Sequence, residues 1–323
     1  MGTIALWPHQ HPALKAILSE LEEFESVGEF MLTEVGHGLD ARNIETTATL
    51  HSDGSFDLHT PTPRAAKIMP PTTPLAGMGR FAVVFAQLIV AGECRGVRPF
   101  VVRINTSDAA MAPGIVSRLL PARPGAKPVD HAITAFHHVR VEAWAILGSV
   151  DTPDNVRKDF FRHIHRVTVG TLSLTMTHIP ALRLSAYILG RYSQRRMVAG
   201  RGAKGAPESI PIINFSTQHT PVITALTFAS VFDAFASDLC RTFAAIEPRV
   251  RSGLACVFKQ TASSASDTLY SEMIDRCGWQ GLYTHNQIIE LAMALRGNSI
   301  AEGDKLVLCI RKFPSLLGYP CNN

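Results

Sequence analysis

The sequence predicts an α+β, multidomain protein in which a small antiparallel β-barrel or sandwich domain precedes an α-helical up-down bundle. From about residue 30 to about residue 147, short β-branched and aromatic runs alternate with glycine and proline, which is typical of strands and turns. After Asp151, longer segments carry apolar residues at helical spacing. Hydrophobic residues make up 46% and charged residues 18% of the 323 residues, so the chain can bury a large core and is not disordered.

The first predicted element is a short amphipathic helix over residues 10–26, with His11-Pro12 at its start. Its apolar residues recur at three- and four-residue steps, which places them on one face of a helix. These residues are Leu14, Ile17, Leu18, Leu21 and Phe24.

A β-hairpin is predicted around the pair Asp53-Gly54. The runs Glu45–Leu50 and Phe56–Thr60 flank this pair, and Asp-Gly between two alternating runs is a strong hairpin signal. Several short strands at such spacing indicate a small sandwich or barrel. Proline- and glycine-rich breaks separate the further predicted strands, which are residues 81–90, 97–103 and 132–136.

The second half of the chain predicts four or five long helices, which together make a bundle. Residues 200–211 are interrupted by glycine and proline and predict a loop. The predicted helices are residues 155–196, 216–246, 252–276, 285–296 and 302–313. The predicted domains are a remnant of a helical domain at 1–29, a β-barrel middle domain at 30–148 and a helical bundle at 149–323.

Composition excludes several classes of protein. The net charge of +4 is small and the basic residues are scattered, so no nucleic-acid-binding surface is predicted. The six cysteines show no CxxC pairing, and we expect neither a disulfide framework nor a metal site. No apolar run approaches the roughly 20 residues that a membrane-spanning helix needs, so no membrane span is expected. The N-terminus does not have the pattern of a signal peptide.

Three motifs carry a resemblance to a known family. Leu32-Thr-Glu-Val-Gly-His-Gly38 is followed by Arg42-Asn-Ile-Glu-Thr-Thr-Ala-Thr49, and Ala301-Glu-Gly-Asp304 lies further along. Together they resemble the acyl-CoA oxidases, the oxidase-like branch of the acyl-CoA dehydrogenase and oxidase superfamily of flavoenzymes. The likeness runs from about residue 3 to about residue 318.

The resemblance implies flavin-dependent α,β-desaturation of an acyl-CoA thioester, with FAD as cofactor and a homodimer as the intact form. Glu302 matches the family's catalytic base, which removes the α-proton while the flavin accepts the β-hydride. Electrons then pass to O2 or, in a dehydrogenase, to a carrier protein. By resemblance the enzyme acts in fatty acid β-oxidation in the peroxisome, although the chain does not end in Ser-Lys-Leu; the alternative compartment is the cytoplasm.

The resemblance also implies a set of cofactor-binding residues. Thr33 matches a flavin-contacting threonine. Arg196, with Arg195 as the next best match, corresponds to an arginine that reaches the flavin diphosphate across the dimer interface. The segment Asp275–Tyr283 matches a glycine-rich turn against the cofactor. The full set is Thr33, Gly36, Arg196, Gly278 and Gly281, with no metal ligand.

Three of the candidate residues also have a structural interpretation. Ser299-Ile-Ala-Glu302 before an apolar run fits a capping box, in which the glutamate bonds only to the end of its own helix. Gly36 fits a backbone turn as well as a ligand contact. Arg196 fits a solvated cation at the end of a helix.

The chain departs from the family pattern in three places. Pro71 stands where the family has a glycine next to the flavin, and proline has no N–H to donate. Trp279 replaces the second glycine of the glycine-rich turn and is expected to crowd the cofactor. The family's N-terminal helical domain, on the order of a hundred residues, is represented only by residues 10–26.

These departures leave a second reading open. A partner subunit is then expected to cover the apolar face of the β-domain and bundle that the N-terminal domain covers in the family. Alternatively, the chain is a catalytically weak or inactive member that acts as a partner subunit or in a secondary-metabolite pathway.

Overall fold

The computed structural model describes residues 11–74, 78–106, 110–127, 129–201, 205 and 207–316. The chain divides into two compact units. One comprises Met1–Ala122 and Pro128–Arg166, and the other comprises Arg123–Lys127 and Val167–Asn323. The domain boundaries predicted after residues 29 and 148 stay predictions.

The first unit begins with helix α1 (Pro12–Glu22), which buries Leu14, Ile17 and Leu21 as the apolar periodicity predicts. The predicted extension of this helix to residue 26 is wrong, because strand β1 (Ser26–Met31) begins there. Phe24 lies between the two elements with a left-handed φ of 59° and is 81% exposed, so it does not join the buried face. Residue 10 lies outside the described part of the chain.

Two sheets build most of the rest of this unit, which also includes the helix Val156–His163. Strands β1 and β2 both run parallel to β5, whereas β2–β3, β3–β9 and β5–β6 pair antiparallel in one mixed sheet. Strands β4, β8 and β7 form a second, antiparallel sheet. The strands after β1 are β2 (Thr47–Leu50), β3 (Phe56–His59), β4 (Lys67–Met69), β5 (Gly79–Val90), β6 (Glu93–Asn105), β7 (Ile115–Leu119), β8 (Ala132–Phe136) and β9 (Val139–Val141).

The predicted hairpin between β2 and β3 is confirmed. Leu50 pairs with Phe56 across the turn, and Gly54 takes a left-handed φ of 85° that suits glycine. The Asp53 carboxylate accepts hydrogen bonds from the Ser55 N–H at 2.9 Å and from the Ser55 hydroxyl at 2.6 Å. Contacts within the turn therefore set the register of β2 and β3, as the Asp-Gly pair predicts.

The remaining helices confirm the second half of the predicted fold class, a helical bundle after a β unit. The predicted helix at 155–196 is divided into three, and the others agree with the apolar periodicity within a few residues. The helices are α2 (Val156–His163), α3 (Arg166–Met176), α4 (His178–Arg195), α5 (Ser216–Thr242), α6 (Pro248–Arg276), α7 (Ile288–Ile300) and α8 (Lys305–Leu316).

The loop predicted at residues 200–211 is wrong, because its ends form a hairpin. Strands β10 (Met197–Arg201) and β11 (Pro207–Pro211) pair antiparallel, with Met197 opposite Pro211. Proline is tolerated in such a two-stranded ribbon because each strand leaves one side without a ladder partner. Proline is therefore no argument against strands here.

Alanines make the close contacts in the bundle core. Ala225, Ala229 and Ala236 on α5 and Ala255 and Ala262 on α6 are almost completely buried. Small side chains at such positions let helices approach each other closely while the core stays densely packed. Among the described helices, α5 alone is long and apolar enough to cross a membrane. Length and composition are weak evidence for a membrane span, since helices of a soluble bundle also meet them.

Candidate functional site

Glu302 lies in the turn between α7 and α8. Glu302 and Gly303 both have left-handed backbones, with φ of 60° and 103°. A left-handed φ is uncommon for a residue with a β-carbon, so surrounding contacts have to hold it. The side chain is half-buried against α3, where both carboxylate oxygens occupy the space that a β-carbon on Gly170 would take.

The capping-box interpretation of Glu302 is wrong. Helix α8 begins at Lys305, after the predicted start at residue 302, and Asp304 caps it. The Asp304 carboxylate accepts hydrogen bonds from two N–H groups of the first turn, at 2.9 and 3.2 Å. Ser299 lies inside α7, where its hydroxyl donates to a carbonyl of the same helix at 2.8 Å. Glu302 therefore does not cap the N-terminal end of α8.

Lys259 on α6 is a site residue that the sequence analysis missed. It is 2% exposed, and its ammonium donates hydrogen bonds to the carbonyls of Ala301 and Gly303, the latter at 2.8 Å. Burial lowers the pKa of Lys259, and the negative charge of Glu302 opposes that shift. A signal was available, because Lys259 falls on the apolar face of the predicted helix 252–276, directly after Phe258.

Thr33 lies in the loop after β1, in the first unit. Its carbonyl accepts a hydrogen bond from the Ile68 N–H at 3.1 Å, which ties the loop to strand β4. The side chain of Thr33 is half-buried. The structure thus places the predicted flavin-contacting threonine on an anchored segment.

A buried ion pair next to Thr33 anchors the same loop. The Lys67 ammonium lies 2.9 Å from the Glu34 carboxylate, and both side chains are fully buried. The carboxylate also accepts the N–H groups of Glu45 and Thr46, at 2.7 and 3.0 Å. Burial lowers the pKa of Lys67 to about 8, against the attraction of Glu34. Buried charges are stable only when they are paired and hydrogen-bonded, as they are here.

Gly36 serves the packing of the loop on its own chain. Its N–H donates to the Arg64 carbonyl at 2.8 Å, and a β-carbon on Gly36 would lie 2.9 Å from the β-carbon of Arg64. Any side chain at this position would force the two segments apart. The structure therefore gives Gly36 a backbone role, the interpretation that its sequence context also allowed.

Arg196 and Gly278 lie at the same end of the helical unit. Gln218 on α5 is buried and bridges the two segments, donating to the Ser193 hydroxyl at 3.2 Å and to the Arg276 carbonyl at 3.0 Å. Arg196 follows α4 directly and is exposed, and Gly278 follows α6 closely. The bridge thus brings together two segments that the resemblance assigned to cofactor binding.

The glycine-rich turn after α6 has one structural and one open glycine. A β-carbon on Gly281 would lie 2.5 Å from the Ile274 carbonyl oxygen, so Gly281 lets the turn close on α6. Gly278 has a left-handed φ of 58°, and the nearest atom to a β-carbon there would be the Tyr192 hydroxyl oxygen at 3.9 Å. Trp279 is 74% exposed and does not fill the turn.

A shallow depression of about 210 Å³ lies beside this turn. Its lining consists of Ile274, Asp275, Gly278, Trp279 and Leu282. Because Trp279 forms part of the rim, its indole offers a flat surface to any molecule at the turn. Among the described residues, no three histidine, cysteine or acidic side chains gather as metal ligands would.

The chain is similar in sequence to curated acyl-CoA oxidases. No protein-family model matches the chain. Human peroxisomal acyl-coenzyme A oxidase 3 is 27% identical over 334 aligned residues, which cover 93% of this chain and 46% of that protein. Mouse acyl-coenzyme A oxidase-like protein is 28% identical over 310 residues, covering 89% of this chain and 48% of that protein. The chain thus spans about half the length of the curated relatives it matches.

Solved structures agree with the sequence comparison. Acyl-CoA oxidase 1 of Arabidopsis thaliana superposes with a TM-score of 0.82 at 24% identity, over 98% of this chain and 52% of that one. Acyl-CoA oxidase-1 of Caenorhabditis elegans, in complex with FAD and ATP, superposes with a TM-score of 0.83 at 20% identity, over 98% of this chain and 49% of that one. The fold is therefore that of an acyl-CoA oxidase, and the resemblance to the acyl-CoA oxidase family is confirmed.

Proposed function

We propose that this protein is a flavin-dependent, acyl-CoA oxidase-like enzyme that introduces an α,β double bond into an acyl-CoA thioester, with Glu302 as the base. One observation carries the proposal. The Glu302 carboxylate is not used to cap α8, and a left-handed turn directs it into a half-buried place against Gly170. A left-handed backbone is energetically unfavourable for a residue such as glutamate, and conformations of this kind occur preferentially at functional sites.

In this reaction the Glu302 carboxylate accepts the α-proton of the acyl group and becomes a carboxylic acid. The β-hydride leaves the substrate at the same time, so that one C–C double bond replaces two C–H bonds. FAD, when bound, supplies the acceptor for that hydride. In general, a carboxylate that a bound substrate shields from water binds a proton more readily.

The residues of the chain fit FAD at several points. The exposed Arg196 and the exposed Gly278 lie at one end of the helical unit, and the planar guanidinium of an arginine suits the oxygens of a diphosphate. In the first unit, Thr33 lies on a segment anchored by Glu34 and Lys67. Pro71 is the exception, because it has no N–H for the cofactor. By resemblance, Arg196 serves the cofactor across the interface of a homodimer.

A second candidate function rests on Pro71. A cofactor that lacks the family's backbone contact at this position is expected to bind less tightly. The alternative is therefore a catalytically weak or inactive partner subunit, or a protein of a secondary-metabolite pathway, that keeps the fold without full activity.

Purification and anaerobic reduction distinguish the two. The enzyme is expected to purify yellow, with close to one flavin per chain, and acyl-CoA is expected to bleach the flavin. Glu302→Gln should slow bleaching by about 10²- to 10⁴-fold, the usual contribution of a general base. Glu290→Gln is the matched control, since this glutamate lies on α7 and pairs at the surface with Lys127. A colourless protein favours the partner subunit, and undiminished bleaching in Glu302→Gln removes Glu302 from its role.

The electron acceptor and the compartment are separate parts of the proposal. Formation of hydrogen peroxide in air, in step with the enoyl product, is expected of an oxidase. A reduced flavin that is stable in air indicates a dehydrogenase that needs a carrier protein. The peroxisomal names of the relatives support the peroxisome as the compartment, and fluorescence microscopy of the tagged protein tests it.

A further inference from the structure

We propose that Lys259 is a positioning residue, whose buried ammonium fixes the turn that carries Glu302 by binding the carbonyls on both sides of it. The proposal rests on the function proposed for Glu302 and adds a residue that the resemblance did not assign.

The contact joins residues that are far apart along the chain. The Lys259 ammonium on α6 donates to the carbonyl of Ala301 and, at 2.8 Å, to that of Gly303. These are the residues immediately before and after Glu302. Two hydrogen bonds from one group therefore fix the peptide before Glu302 and the peptide after Gly303, and these two peptides enclose the left-handed pair.

The backbone of the turn explains why a clamp is needed. Glu302 has a φ of 60° and Gly303 a φ of 103°, and both values lie in the left-handed region. Glu302 carries a β-carbon, so in the absence of tertiary contacts it favours other conformations. If the turn relaxed to a right-handed φ, the carboxylate would leave its place against Gly170.

A positive charge is suited to this place for two reasons. Ala301 is the C-cap that follows α7, and a cation next to the C-terminus of a helix is favoured by the partial negative charge of its last carbonyls. Glu302 and Asp304 add negative charge close by, which offsets the desolvation of the ammonium. Lysine is rarely buried to 2% exposure unless it makes such contacts.

The alternative is that Lys259 only fills space in the bundle. A methionine has a similar length and fills the same space, but it cannot donate a hydrogen bond. Lys259→Met therefore separates positioning from packing. Ser263→Ala is the matched control, because Ser263 is also fully buried on α6, one turn further along the helix.

The first measurement does not need the flavin. Hydrogen exchange is followed by mass spectrometry in the unmodified protein and in both variants, at the hydrogen-bonded backbone amides on the two sides of the turn, those of Ala301 and of residues 306–308. Positioning predicts exchange at these amides that is about tenfold or more faster in Lys259→Met, since a local opening has lost two hydrogen bonds. Exchange in α4 and α5 is expected to stay the same, and Ser263→Ala should show no change at the turn.

The second measurement is anaerobic bleaching of the flavin by acyl-CoA. Lys259→Met should lower the limiting bleaching rate by about 10²-fold, because a displacement of the base of about 1 Å has that effect. The acyl-CoA concentration for half-maximal bleaching should change little, since Lys259 does not touch the substrate. In Lys259→Ala, added ethylamine should restore part of the rate, a rescue that a space-filling role does not predict.

The outcomes separate the two proposals. If the unmodified protein binds no flavin, the function proposed for Glu302 fails, and hydrogen exchange alone still decides whether Lys259 holds the turn. Unchanged exchange and unchanged bleaching in a folded Lys259→Met overturn the positioning role. If neither the Met nor the Ala variant folds, Lys259 is a residue of the folding core, and that result overturns the positioning role as well.

Discussion

The Glu302 carboxylate occupies the space in which a side chain on Gly170 would have to lie. Gly170 is in the middle of α3, where glycine is disfavoured relative to alanine by about 1 kcal/mol. The absence of a side chain there leaves room for the carboxylate. Gly170 therefore lowers the stability of α3, but it allows the Glu302 carboxylate to lie against this helix.

Gly170→Ala tests this relationship. The new methyl group has to displace the carboxylate, so the bleaching rate with acyl-CoA is expected to fall by about 10²-fold. Flavin content after purification should not change, because Gly170 lies outside the predicted cofactor segments. Stopped-flow absorbance gives the bleaching rate, and circular dichroism verifies the fold.

Gly190→Ala is the control for that experiment. Gly190 lies within α4, and a β-carbon there would have no other atom within 4 Å. Alanine should therefore raise the free energy of unfolding by about 0.5–1 kcal/mol and leave bleaching unchanged. Full bleaching in Gly170→Ala would contradict the placement of Glu302.

Asp304 rather than Ser299 is expected to cap α8. Asp304→Ala removes the acceptor for two N–H groups and should lower the free energy of unfolding by about 1 kcal/mol. Ser299→Ala should have a smaller effect, because its hydroxyl donates to a carbonyl that already belongs to α7. Urea unfolding of both variants measures the difference. Equal losses of unfolding free energy would support the capping-box interpretation.

Glu29 predicts a pH dependence of stability. It is 9% exposed on β1, and burial raises its pKa to about 7 against the attraction of Arg80, whose Nε lies 3.7 Å away. A carboxyl group with a raised pKa binds its proton more tightly in the folded state. It therefore stabilises the fold fully below pH 4.5, and this contribution is lost as the pH rises through about 7.

The size of this effect follows from the difference between the folded and unfolded pKa values. Linkage gives a loss of about 3 kcal/mol in the free energy of unfolding between pH 4.5 and pH 7. Glu29→Gln should remove this part of the pH dependence, while the other carboxyl groups contribute equally to both proteins. Urea unfolding at several pH values measures the difference between the two, and parallel curves would exclude the raised pKa of Glu29.

Gln218 is expected to support cofactor binding at a distance. Gln218→Ala removes the bridge between Ser193 and Arg276 and leaves buried polar groups without their partner, which should cost about 1–3 kcal/mol of stability. Flavin retained after dialysis should fall as well, because the segments with Arg196 and Gly278 lose their connection.

Gln260→Ala is the control for Gln218. Gln260 is a half-buried glutamine on α6 whose contact with Ser264, at 3.5 Å, stays within one helix. It should change the free energy of unfolding by no more than about 0.5 kcal/mol, with flavin content unchanged. Equal flavin content in Gln218→Ala and Gln260→Ala would show that the Gln218 bridge does not support cofactor binding.

Local patterns predicted the elements that depend on neighbouring residues. The Asp53-Gly54 hairpin is confirmed because a two-residue turn preference acts within a few residues. The long helices at residues 216–242 and 248–276 are confirmed because each shows apolar periodicity over its own length. By contrast, the hairpin of β10 and β11 was missed, because proline and glycine usually indicate a loop.

The candidate site depends on contacts that no local pattern contains. Lys259 is more than 40 residues from the carbonyls that it binds, and Glu34 is 33 residues from Lys67. Gly170 lies 132 residues before Glu302 in the sequence. A single helical glycine or a single lysine on an apolar face indicates a special environment but does not identify the partner.

By itself the sequence determined the order of a β unit and a helical bundle, the β2–β3 hairpin and, through the resemblance, Glu302 as the candidate base. The tertiary structure alone decided that Asp304 caps α8, that Glu302 turns toward Gly170, and that the Lys259 ammonium binds the carbonyls of Ala301 and Gly303. The physical reason is that secondary structure follows local propensity and hydrophobic periodicity. The direction of one side chain depends on backbone angles that only distant contacts can hold.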